Sequence, residues 1–291
     1  MRPGRTLTDI HYTSADGLDL FARSYGPETA ELTVLCMHGL TRNHKDFEPM
    51  ISRLGDRYRF IAVDVRGRGR SQRADKPETY SPQIYAQDMF ALADKLELSK
   101  MALIGTSMGG LMAMIMARMS PERIGGLVLN DVGPVVNPAG LRRIASYSQD
   151  PQPVDSWQAA AEKVKAAQSE AFPDFEADDW MEFARRTWRE TDDGKVVADY
   201  DPEITRSLGE AKAGLMTKFA MWRVFGALKS HPMLIVRGET SDILSKGTAK
   251  RMVRRHPDAR LFTVPQRGHA PLLDEPIAID AISDFLERLE T

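Results

Sequence analysis

The chain has 291 residues, which is enough for one large domain or two ordinary ones with a sizeable core. Its 39 Lys and Arg residues against 41 Asp and Glu residues leave a formal net charge of −2, which argues against a dedicated nucleic-acid-binding protein. Apolar residues at 42% and charged residues at 27% are typical of a soluble globular protein and argue against a disordered or membrane-spanning one.

Cysteine usage and the N-terminal segment favour a reducing compartment. Cys36 is the single cysteine, so no intramolecular disulfide is possible, and the first residues have no apolar segment of the kind that a signal peptide requires. We therefore predict a cytoplasmic protein with no membrane partner. Cys36 lies in an apolar run and is expected to be a small buried hydrophobe rather than a reactive thiol.

The first half of the chain alternates strand-like and helix-like stretches. Residues 10–13 and 18–25 predict an antiparallel hairpin at one edge of a sheet. Short apolar runs bounded by Gly, Asp or His predict strands buried on both faces of a parallel sheet, at residues 32–37, 60–63, 101–104 and 126–129. Segments with helical periodicity lie between them, at residues 47–54, 82–98 and 108–119. This alternation predicts a parallel sheet covered by helices.

The alternating pattern stops near residue 133 and resumes near residue 231, with further strands at 233–238 and 260–264 and helices at 246–256 and 276–289. We therefore predict a core domain of residues 1–133 and 231–291, interrupted by an insert of residues 134–230. Apolar residues recur at helical spacing in the insert, in one run from Trp157 to Val164 and in another from Trp180 to Trp188. All four tryptophans lie in the insert.

The strongest functional signal is a G-x-S-x-G pentapeptide centred on Ser107, between a predicted strand and a predicted helix. A serine in this context lies on a sharp strand-to-helix turn that exposes its hydroxyl at the carboxyl edge of the sheet. Ser107 is therefore the candidate nucleophile.

A serine nucleophile needs a histidine base, and the base needs a carboxylate that orients it. His269 follows the last predicted strand and is the candidate base, while Asp242 follows the strand before it and is the favoured acid. Asp131 ends the strand at 126–129 and is a rival acid, and Glu239 is a weaker one.

Acyl transfer also needs backbone donors for the developing oxyanion. The amide of Met108, directly after the nucleophile, is one candidate, and the amide of Leu40, in the loop after the strand at 32–37, is the other. His38 is expected to brace this loop rather than to catalyse. Asn43 and His44 are candidates for the substrate pocket.

These motifs together resemble the α/β-hydrolase superfamily. The resemblance is carried by HGLTRN, DVRGRGRSQ, GTSMGG, LVLNDVGP, MLIVRGETSD and RGHAPLLDEP, in the family order. It implies an α/β fold with a mostly parallel eight-stranded sheet flanked by helices, and it implies that residues 134–230 form a helical lid over the active site. The arginines of DVRGRGRSQ are then expected to be braces or solvated charges.

The resemblance implies a serine esterase, such as a carboxylesterase or lactonase, that acts through an acyl-enzyme. A serine at the strand-to-helix turn argues against haloalkane dehalogenases and epoxide hydrolases, which carry aspartate at that position. Two alternatives stay open: a carbon–carbon bond hydrolase of meta-cleavage diketones, and a receptor or signalling protein with this fold.

The expected substrate is a small hydrophobic ester or lactone. Trp180 and Trp188 are candidates for the substrate pocket, although aromatic residues at helical spacing also serve to pack helices. No cofactor or metal is expected, because no group of His, Cys or carboxylate residues has ligand spacing. The oligomeric state stays open.

Overall fold

The computed structural model describes residues 7–149, 151–208 and 215–290, without the side chains of 206–208 and 215–218. The described strands are β1 (Leu7–Thr13), β2 (Asp19–Tyr25), β3 (Thr33–Met37), β4 (Arg59–Asp64), β5 (Met101–Thr106), β6 (Ile124–Asn130), β7 (Trp188–Glu190), β8 (Val196–Ala198), β9 (Met233–Gly238) and β10 (Ala259–Val264). Eight of these form one sheet in the order β1-β2-β4-β3-β5-β6-β9-β10. β2 pairs antiparallel with β1 and β4, and all other pairs in this sheet are parallel.

The described helices are α1 (Glu48–Leu54), α2 (Pro82–Lys95), α3 (Met108–Met119), α4 (Pro138–Ser148), α5 (Trp157–Gln168), α6 (Ala177–Thr187), α7 (Leu215–Gly226), α8 (Lys246–Arg255) and α9 (Pro276–Glu287). Short 3₁₀ turns lie at His44–Phe47, Pro77–Thr79, Pro121–Arg123 and Pro202–Leu208. The predicted mostly parallel sheet flanked by helices is confirmed.

The core lies on both faces of the sheet, as the continuous apolar runs predict. In β3, Leu35 and Met37 belong to one apolar cluster, while Val34 and Cys36 belong to a second one. Cys36 is fully buried, as predicted, and burial raises the pKa of its thiol. Because side chains alternate along a strand, the two clusters lie on opposite faces of the sheet.

The insert, residues 134–230, contains α4 to α7 and a hairpin of β7 and β8 in its described part. The predicted helical face at Trp157–Val164 is confirmed, since Ala160, Ala161 and Val164 are buried on α5. The second predicted face is wrong at its end, because α6 stops at Thr187 and Trp188 begins β7. Pairing with β8 stabilises an extended backbone at Trp188, where the spacing of apolar residues predicts a helix. Helix α4 was not predicted.

The predicted domain division extends beyond what the structure describes, because residues 1–6, 150, 209–214 and 291 lie outside the described residues. Within the described part of the chain, no helix combines the length and the apolarity that a membrane crossing requires.

Candidate active site

Ser107 lies on the sharp turn between β5 and α3, with φ of 51° and ψ of −111°. Two flanking glycines make this turn possible. A Cβ at Gly105 would lie 2.3 Å from the carbonyl oxygen of Gly109, and one at Gly109 would lie 2.0 Å from the carbonyl oxygen of Met37. Both contacts are far inside van der Waals distance, so only glycine lets the helix start this close to the sheet. The hydroxyl is thereby presented at the carboxyl edge.

His269 reaches Ser107 from the loop that follows β10. Its ring is buried, and its Nε2 lies 2.9 Å from Ser107 Oγ. With the proton of the imidazole on Nδ1, as its second contact requires, Ser107 Oγ donates to Nε2. This is the arrangement in which an imidazole can take the proton of an attacking hydroxyl.

Asp131 is the carboxylate that orients His269. It follows β6, it has no exposed surface, and its Oδ2 accepts the Nδ1 proton at 2.8 Å. The amide of Gly238 donates to Oδ1 at 3.0 Å, and the hydroxyl of Ser241 donates to Oδ2. These donors satisfy a buried carboxylate and hold it in one orientation.

Asp242, the acid favoured from the sequence, is not brought to His269, which corrects that prediction. Its carboxylate accepts two hydrogen bonds from Arg143 on α4, at 2.7 and 2.9 Å. Burial alone would raise the pKa of Asp242, but the hydrogen bonds and charge of Arg143 outweigh it and lower that pKa. The charge of His269 also contributes to this lowering of the pKa, but the described hydrogen bonds of the Asp242 carboxylate go to Arg143 and not to the imidazole. Ser241, one residue earlier, reaches Asp131 from the same loop.

The predicted oxyanion donors flank Ser107. Leu40 and Met108 each line a cavity together with Ser107, and neither amide donates to another group within the described part of the chain. The free amide of Met108 stands at the start of α3, where it is ready to bind an anion. The loop of Leu40 is braced by His38, whose Nδ1 donates to Gly39 O at 2.6 Å while its Nε2 accepts from the amide of Val65 at 3.0 Å. Burial lowers the pKa of His38 to about 4, which keeps it neutral in this bracing role.

Arg68 contacts both residues whose amides are the oxyanion candidates. The sequence did not predict these contacts. It is almost fully buried, its Nε donates to the carbonyl of Leu40 at 2.9 Å, and its Nη2 lies 3.5 Å from Met108 Sδ. Its Nη1 donates to the carbonyl of Arg66 and to the hydroxyl of Tyr85. No carboxylate of the described residues forms an ion pair with it. Arg68 therefore braces the loop, as expected for an arginine of this motif, and also places a positive charge beneath the oxyanion donors.

Three of the predicted pocket residues make structural contacts elsewhere. Asn43 is buried and donates from Nδ2 to the carbonyl of Arg186 in the insert, His44 pairs with Asp64 at 2.8 Å, and Trp180 packs edge-on against Phe175. None of the three lines a described cavity at Ser107.

Cavities meet at or near Ser107. The site cavity, about 70 Å³, is lined by Ser107, His269 and groups that include Arg42, Tyr147 and Gln168. The outer cavity, about 330 Å³, shares the last three residues with it and is also lined by Trp188 and Lys163. The inner cavity, about 140 Å³, is lined by Leu40, Ser107, Met108 and a set of aliphatic side chains: Leu111, Val132, Val136, Leu141, Ile144, Ile204 and Ile243.

Some of these lining residues were missed in the sequence. Arg42 stands inside the HGLTRN motif, so the motif could have indicated it. Tyr147 and Gln168 lie on α4 and at the end of α5 in the insert, where the chain carries no recognisable motif. Only the folded insert brings them to Ser107.

Comparison with known proteins shows the family of the chain. The family model described as the alpha/beta hydrolase fold matches residues 33–276. The chain belongs to the α/β-hydrolase family. A solved α/β hydrolase from Novosphingobium aromaticivorans shares 42% identity with a TM-score of 0.90, over 97% of this chain and 98% of that one.

Two relatives of this hydrolase have named activities. The 3-hydroxybutyrate-oligomer hydrolase of Cupriavidus necator is 32% identical over 284 residues, which are 95% of this chain and 96% of the relative. The 2-(acetamidomethylene)succinate hydrolase of Mesorhizobium japonicum is 28% identical over 259 residues, or 87% of each chain. The family and the activity class of hydrolase are thus shown, while the bond that is cleaved is a separate question.

The described residues hold no group of three or more His, Cys, Asp or Glu side chains arranged to bind a metal ion. The site itself offers a hydroxyl, an imidazole, a carboxylate and backbone donors.

Proposed function

We propose that this hydrolase cleaves carboxylic esters through a covalent acyl-enzyme, with Ser107 as nucleophile, His269 as base and Asp131 as the orienting acid. The observation that carries the proposal is the continuous hydrogen-bonded chain from Ser107 Oγ through His269 to Asp131 Oδ2, at 2.9 and 2.8 Å. The relative from Cupriavidus necator adds support, because oligomers of a hydroxy acid are joined by ester bonds.

The proposed reaction has two steps. His269 takes the proton of Ser107 as Oγ bonds to the ester carbonyl carbon, and the amides of Leu40 and Met108 stabilise the oxyanion. The carbon–oxygen bond to the alcohol then breaks, and His269 gives its proton to the departing oxygen. Water, deprotonated by His269, next attacks the acyl carbon, and the Ser107 oxygen leaves with the proton. The products are a carboxylic acid and an alcohol.

We propose that the insert acts as a lid on this site. The side chains of Tyr147, Gln168 and Phe183 belong to the insert and line the site cavity with Ser107. A cover of this kind limits water and shapes the space that a substrate occupies.

The test is replacement of the nucleophile. We expect Ser107→Ala to lower kcat on p-nitrophenyl butyrate by about 10⁴-fold or more, whereas Ser120→Ala, at the end of α3, keeps wild-type activity. A fluorophosphonate probe should label Ser107 in the wild type and nothing in Ser107→Ala. Labelling of another residue, or ester turnover by Ser107→Ala, would overturn the mechanism.

The same assay distinguishes the alternatives. Cleavage of a vinylogous diketone without cleavage of any ester would favour a carbon–carbon bond hydrolase. Tight binding of esters without turnover would favour a receptor. Rapid ester turnover contradicts a receptor, and rapid ester turnover without cleavage of the diketone contradicts both alternatives.

A further inference from the structure

Two cavities of different chemistry meet at Ser107. The inner cavity and the site cavity share Leu40, Ser107 and Ile144, so a substrate with its carbonyl at Ser107 can extend into both. The inner cavity is lined almost entirely by aliphatic side chains, and its two tyrosine hydroxyls are already engaged, Tyr80 with Asp201 and Tyr85 with Arg68. The site cavity instead has a mixed lining, in which Arg42, Tyr147 and Gln168 lie beside apolar side chains such as Phe172 and Phe183.

The position of His269 decides which part of an ester enters which cavity. His269 lines the site cavity and is not among the described residues that line the inner cavity. The imidazole must protonate the alcohol oxygen as it leaves, so the alcohol lies on the side of His269. The acyl chain then occupies the space beside Leu40 and Met108, away from the imidazole.

We propose that the substrate is an ester of a short aliphatic acid with a larger alcohol that carries a carboxylate. The acyl chain would bind in the inner cavity, and the alcohol would extend through the site cavity into the outer cavity. This inference rests on the proposed ester hydrolysis at Ser107 and adds the substrate class.

The size of the inner cavity sets the acyl length. An apolar cavity of about 150 Å³ holds a molecule the size of benzene. The inner cavity, at about 140 Å³, therefore accommodates an acyl chain of up to about six carbons. The aliphatic lining offers such a chain no hydrogen bonds and favours an unsubstituted hydrocarbon.

The charge that lines the outer cavity favours an alcohol that carries a negative charge. Arg42 donates two hydrogen bonds to Asp46, at 2.7 and 2.6 Å, so these two charges cancel. Lys163 of the outer cavity donates to the carbonyl of Gln152 and has no carboxylate partner within the described residues. Among the described lining residues of the outer cavity, Lys163 is thus the one cation without a carboxylate partner, and it lies in the same cavity as the polar side chains of Tyr147 and Gln168.

The acyl side is tested by changing the size of Val136. Val136→Phe fills the inner cavity and should lower kcat/KM for p-nitrophenyl hexanoate by about tenfold or more, with acetate little affected. Val136→Ala enlarges it and should raise the ratio of octanoate to butyrate. The control is Val135→Phe, because Val135 is half-buried and does not line a described cavity.

The alcohol side is tested by charge. The butyryl ester of 3-hydroxybutyrate should be cleaved with a lower KM than the same compound as its neutral methyl ester. Lys163→Gln should reduce that preference about two- to fivefold, as for an exposed ion pair, and added salt should reduce it in the wild type. The control is Lys165→Gln, a neighbouring exposed lysine that lines no described cavity.

The outcomes separate the inference from the proposed function. Absence of ester turnover with every substrate would overturn the proposed function itself. Turnover with an unchanged acyl-length profile in both Val136 variants would overturn the acyl assignment. A preference for the methyl ester, or an equal effect of Lys163→Gln and Lys165→Gln, would overturn the anionic alcohol.

Discussion

At the scale of single residues, the site depends on a buried carboxylate that pairs with His269 and, among the described residues, with no lysine or arginine. Asp131 is fully buried and receives its hydrogen bonds from a backbone amide, a hydroxyl and the imidazole of His269. Asp242 has a side chain that is 36% exposed, and the guanidinium of Arg143 neutralises it. Only the first arrangement leaves a negative charge free to stabilise an imidazolium.

Substitution of the two aspartates is predicted to have different effects on kcat. Asp131→Asn should lower kcat by about 10⁴-fold, the usual loss when the acid of a triad becomes an amide that favours the wrong tautomer. Asp242→Asn is the matched control and should retain kcat within a few fold. Both are measured on p-nitrophenyl butyrate, beside circular dichroism to establish folding. An equal loss of kcat in Asp242→Asn would contradict the assignment of Asp131.

At the scale of elements, the segments that follow β3 and β4 act as one unit behind the oxyanion donors. His38 accepts from the amide of Val65, and Asp64 Oδ1 accepts from the amide of His44 at 2.7 Å. Arg68 completes the unit through its bond to the carbonyl of Leu40. Since β3 and β4 are parallel neighbours, their carboxyl ends meet at the same edge of the sheet.

Arg68 is predicted to be a positioning residue for the oxyanion donors. Arg68→Met should lower kcat by about 10- to 100-fold with little change in KM, because a small misplacement of the Leu40 amide weakens binding of the transition state more than of the ester. Arg68→Lys should restore the charge but not the forked hydrogen bonds, and should recover activity only in part.

A boronic acid inhibitor supplies the deciding measurement for Arg68. Its affinity should fall in parallel with kcat in Arg68→Met, whereas affinity for the product acid should not. If Arg68→Met loses thermal stability while its folded fraction keeps wild-type kcat and inhibitor affinity, Arg68 has only a structural role.

At the scale of the whole molecule, polar contacts join the insert to the loops that carry the site. Asn43 donates to the carbonyl of Arg186 and to the carboxylate of Asp199, and the amide of Gly268, beside His269, donates to the carbonyl of Ala171. The folding of the insert and the geometry of the site are thereby coupled.

Substitution of Asn43 tests whether the folding of the insert and the geometry of the site are coupled. Asn43→Ala removes buried hydrogen bonds and should lower the free energy of unfolding by about 1 to 3 kcal/mol. It should also lower kcat/KM, because Asn43 belongs to the loop of Leu40. Asn137→Ala removes only the cap of α4 and should cost about 1 kcal/mol without a matching loss of activity. Unfolding curves and ester kinetics on both variants decide the matter. Equal activity losses in the two variants would contradict a specific role of Asn43.

Much of the fold was predictable because its signals are local. The continuous apolar runs indicate buried parallel strands, and the predicted strands of the core all lie in the main sheet. The insert was less predictable. The period that runs from Trp180 to Trp188 predicts one helix, yet Trp188 is extended, because pairing with Ala198 across the hairpin stabilises it there. Strand pairing is a non-local interaction that helical spacing does not reveal.

The sequence by itself determined the family, the strand-turn-helix that presents Ser107 and the loop that carries His269, because each depends on residues adjacent in the chain. Only the tertiary structure decided between Asp131 and Asp242. Both follow neighbouring parallel strands, β6 and β9, so their order in the chain is compatible with either role. The choice depends on Arg143, 99 residues before Asp242, which the folded insert brings to that carboxylate. A salt bridge between distant segments has no local signature, and for that physical reason the acid could be identified only in the folded molecule.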